Sequence, residues 1–356
     1  MRWKLVLVLL SLAMGLVVAE GLVRSLAGDI LPKGGLYELD PYTGKRMRAG
    51  WRGRVFGQEV RINSLGLRNP ELSYAKPPGR YRILVLGDSW TFGYRIAERD
   101  CFPRQLERRL NERARLRGDP PRFEVINAGV IGYSTTQEAA YLRVRGHRFS
   151  PDLVVVAYYP VNDTDLKHRR YARYLRLYRI HPWLLELYRL PGELRLNRYL
   201  RGAKTALRER WAELRASRNG RPLAELRRQQ AVSWLARYDG EGWKDAREAL
   251  REIGGITAQL NARGLLLLLP DVRDLGAYID LAHPRIEPLI RAAASEAGLE
   301  IVDLLAVFQS YRGQEDRIRD PGLRHPNAAG YAVIAQALAE VIEGAPPPPR
   351  PGHEID

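Results

Sequence analysis

The chain is expected to fold as an α/β domain on an open, parallel sheet. Three observations lead there. Apolar runs at 82–87, 123–129, 152–159, 264–270 and 299–304 have the length of buried strands. Helical segments alternate with them, one opening at Phe102-Pro103 and another spanning Glu241 to Leu260, and that alternation builds parallel sheets. Finally, three of the runs end in short polar motifs, at the carboxyl ends of strands where open α/β sheets form their ligand crevices.

The chain opens with Arg2 and Lys4, followed by the apolar run Leu5 to Ala19. That run suits a signal-peptide core, with Val17-Val18-Ala19 as a small-residue cleavage site. Apolar residues continue beyond Glu20 through Leu22, Val23, Leu26 and Ala27, so an uncleaved anchor of about 24 residues is the favoured reading of 1–28. The basic start would stay cytoplasmic and send the rest outward. Cleaved or not, the body is expected outside the cytoplasm. Residues 29–80 are rich in Gly, Pro and polar groups and read as a stalk packed against the core. The main domain is placed at 81–344, and the Pro-rich tail 345–356 is expected to be disordered.

The first strand runs into Gly87-Asp88-Ser89, within Arg82-Ile-Leu-Val-Leu-Gly-Asp-Ser-Trp-Thr-Phe-Gly93. A serine there stands beside the amino end of the next helix, whose free N–H groups favour developing negative charge. It can be a nucleophile if a base and oxyanion donors reach it. It can equally be an ordinary strand-to-helix cap. The second strand leads to a loop holding Gly132, whose backbone N–H can approach a substrate unobstructed. The third ends in Pro160-Val-Asn162-Asp163, where the Asn162 amide can donate to an oxyanion. His325-Pro-Asn-Ala-Ala-Gly-Tyr331 then opens the last apolar helix, expected to reach about Ile342.

Ser89, Gly132, Asn162 and His325, in that order, resemble the SGNH hydrolases, also called the GDSL esterase/lipase superfamily. The similarity runs from Ile83 to Ile342 with one long insertion, and Val60-Arg-Ile-Asn-Ser-Leu-Gly-Leu-Arg68 resembles the stretch before the core of membrane-anchored bacterial members. The resemblance implies a flavodoxin-like three-layer α/β/α sandwich with about five parallel strands. It makes Ser89 the nucleophile and His325 the general base. The oxyanion hole would be the N–H groups of Ser89 and Gly132 with the Asn162 amide. Members usually carry an Asp two or three residues before that histidine, but Gly322 and Leu323 stand there. Asp320 is the favoured third member, with Asp316 farther back. A Ser–His dyad and a lost activity are the alternatives. His283, also followed by Pro, is a rival base read as a rim residue.

Composition narrows the partners. With 57 Lys and Arg against 41 Asp and Glu, the net charge is +16. Lys167 to Arg237 alone holds 19 Lys or Arg against 5 Glu, so an insertion at about 165–240 carries most of the excess. Interleaved Tyr, Trp and Leu give it the pattern of basic amphipathic helices, suited to an anionic membrane surface, to a cap that attracts an acidic substrate, or simply to a solvated face. Nucleic acid is not expected, because no recognition motif is present. Cys101 is the single cysteine, which excludes an internal disulfide and reads as a packing residue. No metal is indicated by the scattered His, and no glycine-rich phosphate loop or cofactor motif follows any strand. These residues together lead to a serine esterase acting on an ester, such as an O-acetyl group, of a cell-envelope glycan or lipid. An O-acyltransferase with the same site, or a non-catalytic membrane-anchored glycan- or lipid-binding protein, are the alternatives.

Overall fold

The computed structural model of the protein describes residues 2–26, 35–55, 57–166, 232–320 and 325–344, with Arg169 and Trp211 besides. Most of the basic insertion, residues 321–324 and the Pro-rich tail lie outside them. A helix, α1 (Arg2–Leu26), comes first. Its large apolar side chains from Val6 to Val18 face solvent. Among the described residues no helix is long and apolar enough to cross a membrane. The expected transmembrane helix is therefore not borne out.

Two hairpins follow: β1 (Tyr37–Asp40) with β2 (Gly44–Met47), and β3 (Arg52–Val55) with β4 (Gln58–Arg61). Leu36, Met47, Val55, Val60, Ile62 and Leu67 are buried in the same core as the main sheet.

That sheet has five parallel strands: β5 (Tyr81–Leu86), β6 (Phe123–Asn127), β7 (Leu153–Tyr158), β8 (Arg263–Leu268) and β9 (Glu300–Asp303). Each coincides with one of the apolar runs, trimmed or shifted by a residue or two. Their order is β6-β5-β7-β8-β9. The chain steps from β5 outward to β6, then returns past β5 to β7, so the topology reverses between β5 and β7. This is the flavodoxin-like order, and its reversal opens a crevice at the carboxyl ends of those two strands. Leu86 pairs with Val156 in register, so the segments after β5 and β7 emerge as neighbours.

Helices cover the sheet. Between β5 and β6 lie the short α2 (Ser89–Phe92) and the amphipathic α3 (Phe102–Leu116), with Pro103 in its first turn. The longer helices that follow are α4 (Thr135–Val144), α5 (Glu241–Gln259), α6 (His283–Glu296) and α7 (Ala328–Ile342). α3 packs on α7, while α4 packs on α5 and α5 on α6. Right-handed crossovers from a reversing strand order send the two groups to opposite faces, giving the three layers. β7 is buried at all six positions, which explains why Leu153-Val-Val-Val-Ala-Tyr158 is continuously apolar rather than alternating.

Candidate active site

Ser89 is the first residue of α2, reached from β5 through Gly87 and Asp88. Only a glycine fits at 87, since a Cβ there would lie 2.1 Å from Thr91 Oγ1. Asp88 caps the helix, its Oδ1 accepting the Trp90 N–H at 2.8 Å. The far end of α2 is held by a residue that precedes β5. The buried guanidinium of Arg68 donates to the carbonyls of Phe92 (2.9 Å), Gly93 (2.6 Å) and Ile96 (2.7 Å). A cation on these carbonyls satisfies groups that the helix leaves without partners.

His325 meets the serine across 236 residues of sequence: its Nε2 lies 2.8 Å from Ser89 Oγ. The ring rests on Tyr94, with centroids 4.6 Å apart. Asn327 caps α7, accepting the Gly330 N–H at 3.0 Å, and its Nδ2 donates to the Arg317 and Arg319 carbonyls. A bridge between Arg319 and Pro326 closes the neck of the loop. The structure joins Asp320 to His325 through main chain, the Asp320 N–H donating to the His325 carbonyl at 3.2 Å. That main-chain hydrogen bond ties the two residues together.

Asn162 lies in the turn after β7, and its Nδ2 donates to Asp88 Oδ2 at 2.5 Å. The same oxygen is 3.5 Å from Ser89 Oγ. One buried carboxylate thus touches the hydroxyl and the amide, placing Asn162 beside the serine. Burial pushes Asp88 up to about 6, against the opposing pull of the Trp90 N–H and the Asn162 amide. Gly132 has φ +75°, a conformation that favours glycine. Its loop sits on the Ser89 turn: the Ala128 N–H donates to Val85 O at 2.9 Å and the Val130 N–H to Gly87 O at 3.0 Å. Gly129 permits this approach, since a Cβ there would lie 2.3 Å from the Phe92 nitrogen.

Two further candidates fall elsewhere. His283 does not face Ser89; its Nε2 is 2.6 Å from Asp303 Oδ2, at the end of β9. The Cys101 thiol is buried, donates to the Glu98 carbonyl at 2.9 Å and is pushed up to about 11 by burial. A thiol so protonated is a packing group. Sequence reasoning gave no second role to Asp88 and none to Arg68. The latter had a visible signal: an arginine closing an otherwise apolar run at Leu65-Gly-Leu-Arg68.

A hydroxyl hydrogen-bonded to an imidazole nitrogen, at a helix amino terminus and beside an amide donor, is the arrangement that acyl transfer requires. The GDSL-like lipase/acylhydrolase family matches this chain over residues 85–333, a span that holds Ser89, Gly132, Asn162 and His325. The chain belongs to that family. The protein is accordingly a hydrolase acting on ester bonds. No curated protein matches it. Among solved structures it is similar to LAE5, an alpha/beta hydrolase enzyme from the metagenome of Lake Arreo, Spain, at 19% identity, covering 76% of this chain and 98% of that one with a TM-score of 0.43. It is also similar to the psychrotrophic esterase EstA from Pseudoalteromonas sp., at 13% identity, 74% and 97% coverage and a TM-score of 0.40. A two-domain esterase active on acetylated mannans shares 15% identity, with 77% of this chain and 53% of that one covered and a TM-score of 0.41.

Proposed function

We propose that this GDSL-like hydrolase is a serine esterase working through an acyl-enzyme on Ser89. The observation that carries the reading is the 2.8 Å contact between His325 Nε2 and Ser89 Oγ. As the hydroxyl oxygen attacks the ester carbonyl, its proton passes to Nε2. The carbonyl oxygen becomes an oxyanion, held by the Ser89 and Gly132 N–H groups and the Asn162 amide, each such donor lowering the barrier by about 3 kcal/mol. Collapse of the tetrahedral adduct breaks the ester bond, and the leaving alkoxide takes the proton from His325. Water then gives a proton to the imidazole as it attacks the acyl-enzyme, releasing the acid and restoring Ser89.

The Asp320 N–H bonded to the His325 carbonyl and the Tyr94 ring against the imidazole support His325 as the base, with Asp320 the candidate third member of a triad. The substrate is an ester of an envelope glycan or lipid, with a short acyl group such as acetyl. Two features support that choice: Ser89 is only 8% exposed, which favours a small acyl group, and the chain carries a net charge of +16, which attracts anionic envelope material. The basic, apolar amino terminus supports a catalytic domain outside the cytoplasm. Chromogenic esters of increasing acyl length, assayed with and without an oligosaccharide acceptor, test the reading. Fastest release from acetyl esters, lost in Ser89→Ala, is expected. Acylated oligosaccharide instead of free acid would identify an acyltransferase.

A further inference from the structure

The residues before the main domain grip the loop that carries Gly132. Lys45, on β2, donates from Nζ to the Ile131 carbonyl at 2.6 Å. In return the Tyr133 hydroxyl donates to the Lys45 carbonyl at 2.6 Å, and Gln137 Nε2 donates to the Thr43 carbonyl at 2.7 Å. The ammonium is also 4.8 Å from the centroid of the Tyr37 ring, and a Cβ on Gly132 would lie 3.7 Å from it. These contacts span 86 to 94 positions of sequence.

The Ile131 carbonyl and the Gly132 N–H belong to one peptide group. No peptide in the described chain is cis, so the two point in opposite directions across a rigid plane. Whatever fixes the oxygen fixes the N–H. A cation on the oxygen also polarises the amide, making its N–H a stronger donor. We propose that Lys45 is a positioning residue for ester hydrolysis, acting through the Ile131–Gly132 peptide to aim and strengthen the Gly132 N–H toward the developing oxyanion. The proposal rests on the reading of Gly132 as an oxyanion donor. It also gives the hairpin β1–β2 a part in catalysis, because that hairpin supplies the charge behind the oxyanion hole.

The test compares Lys45→Met, Lys45→Gln and Lys45→Arg in the full chain with Arg61→Met, which removes an exposed cation of β4. Three quantities are read: kcat and KM on a chromogenic acetyl ester, the second-order rate of fluorophosphonate labelling of Ser89, and Tm. The phosphonyl oxygen occupies the oxyanion position, so the labelling rate reports the hole rather than substrate affinity. Lys45→Met should lower kcat and the labelling rate together, roughly tenfold to a hundredfold, with KM nearly unchanged. Lys45→Gln keeps a neutral donor and should fall between, Lys45→Arg should recover most of the rate, and Arg61→Met should match the unmodified protein. If Lys45→Met unfolds, the Gln and Arg variants carry the test. Folded Lys45 variants that label and turn over at the original rate overturn the proposal while leaving Ser89 as nucleophile. An unmodified protein that neither labels nor hydrolyses esters would overturn both.

Discussion

Among the described residues two His-Pro dipeptides stand at helix starts, and they do different things. His283 starts α6, and its ring meets Asp303 at 2.6 Å, a carboxylate whose other oxygen accepts the Leu305 N–H at 2.9 Å. His325 stands just ahead of α7 and meets a hydroxyl, Ser89 Oγ, at 2.8 Å. A carboxylate holds the imidazole as a structural pair, here at the end of edge strand β9, with Tyr278 edge-on to the ring at 5.7 Å. A hydroxyl at a helix amino terminus, with an amide donor alongside, can give its proton away. The sequence context of the two histidines is nearly the same, so the partner across the fold makes one a candidate base and the other a clamp.

Substitution should separate them widely. His325→Ala is expected to lower kcat by about a thousandfold or more, as removal of a general base does. His283→Ala should leave kcat within about twofold and instead lower Tm, because it leaves the Asp303 carboxylate without its partner, a loss of about 1–3 kcal/mol. Steady-state kinetics with thermal melts on both variants reads the contrast, and equal losses of rate would erase it.

The Asp88–Asn162 contact sharpens the same comparison, since here a carboxylate does take part at the serine. Asp88 is raised to about 6, so it is ionised above that pH and takes up a proton below it. Protonation weakens its hold on the Asn162 amide. The acid side of the pH–rate profile should therefore include a proton taken up by Asp88. Asp88→Asn should reduce kcat by about tenfold and remove that proton from the limb. An unchanged limb would remove Asp88 from the account.

The smallest effect concerns stability. Glu138 is buried, and burial together with repulsion from the Asp163 and Asp88 carboxylates holds its carboxyl well above its ordinary range. The folded state keeps a proton that the unfolded chain releases once pH exceeds that range, so unfolding sheds a proton and stability falls as pH rises. Glu138→Gln should raise Tm at pH 8 by several degrees and change it little at pH 4, with activity retained. A variant equally destabilised at both would contradict this sign.

Much of the fold was legible because its signals are local. The run Leu153 to Tyr158 is apolar without alternation, which marks a strand covered on both faces, and Gly87-Asp88-Ser89 follows a strand just as the crevice requires. Ser89 and His325 were visible for the same reason: each sits where a regular element begins. What stayed hidden depends on contacts between distant segments. Nothing near Lys45 marks it as the partner of a carbonyl 86 positions away, and Arg68 reveals its three carbonyl contacts only once α2 has folded above it. Asp88 was legible as a cap, but its second oxygen finds Asn162 only when β7 lies beside β5. Asp320 is the reverse case: nearness in sequence made it the candidate third member, and the structure joins it to His325 through a main-chain hydrogen bond.

The central claim is that Ser89 is activated by His325. The most direct measurement treats the protein with a fluorophosphonate and maps the adduct by mass spectrometry, with Ser89→Ala, His325→Ala and His283→Ala alongside. The account predicts one adduct, on Ser89, formed at full rate in His283→Ala and nearly abolished in His325→Ala. Folded protein that takes no adduct, or labels on Ser89 as fast without His325, would contradict it.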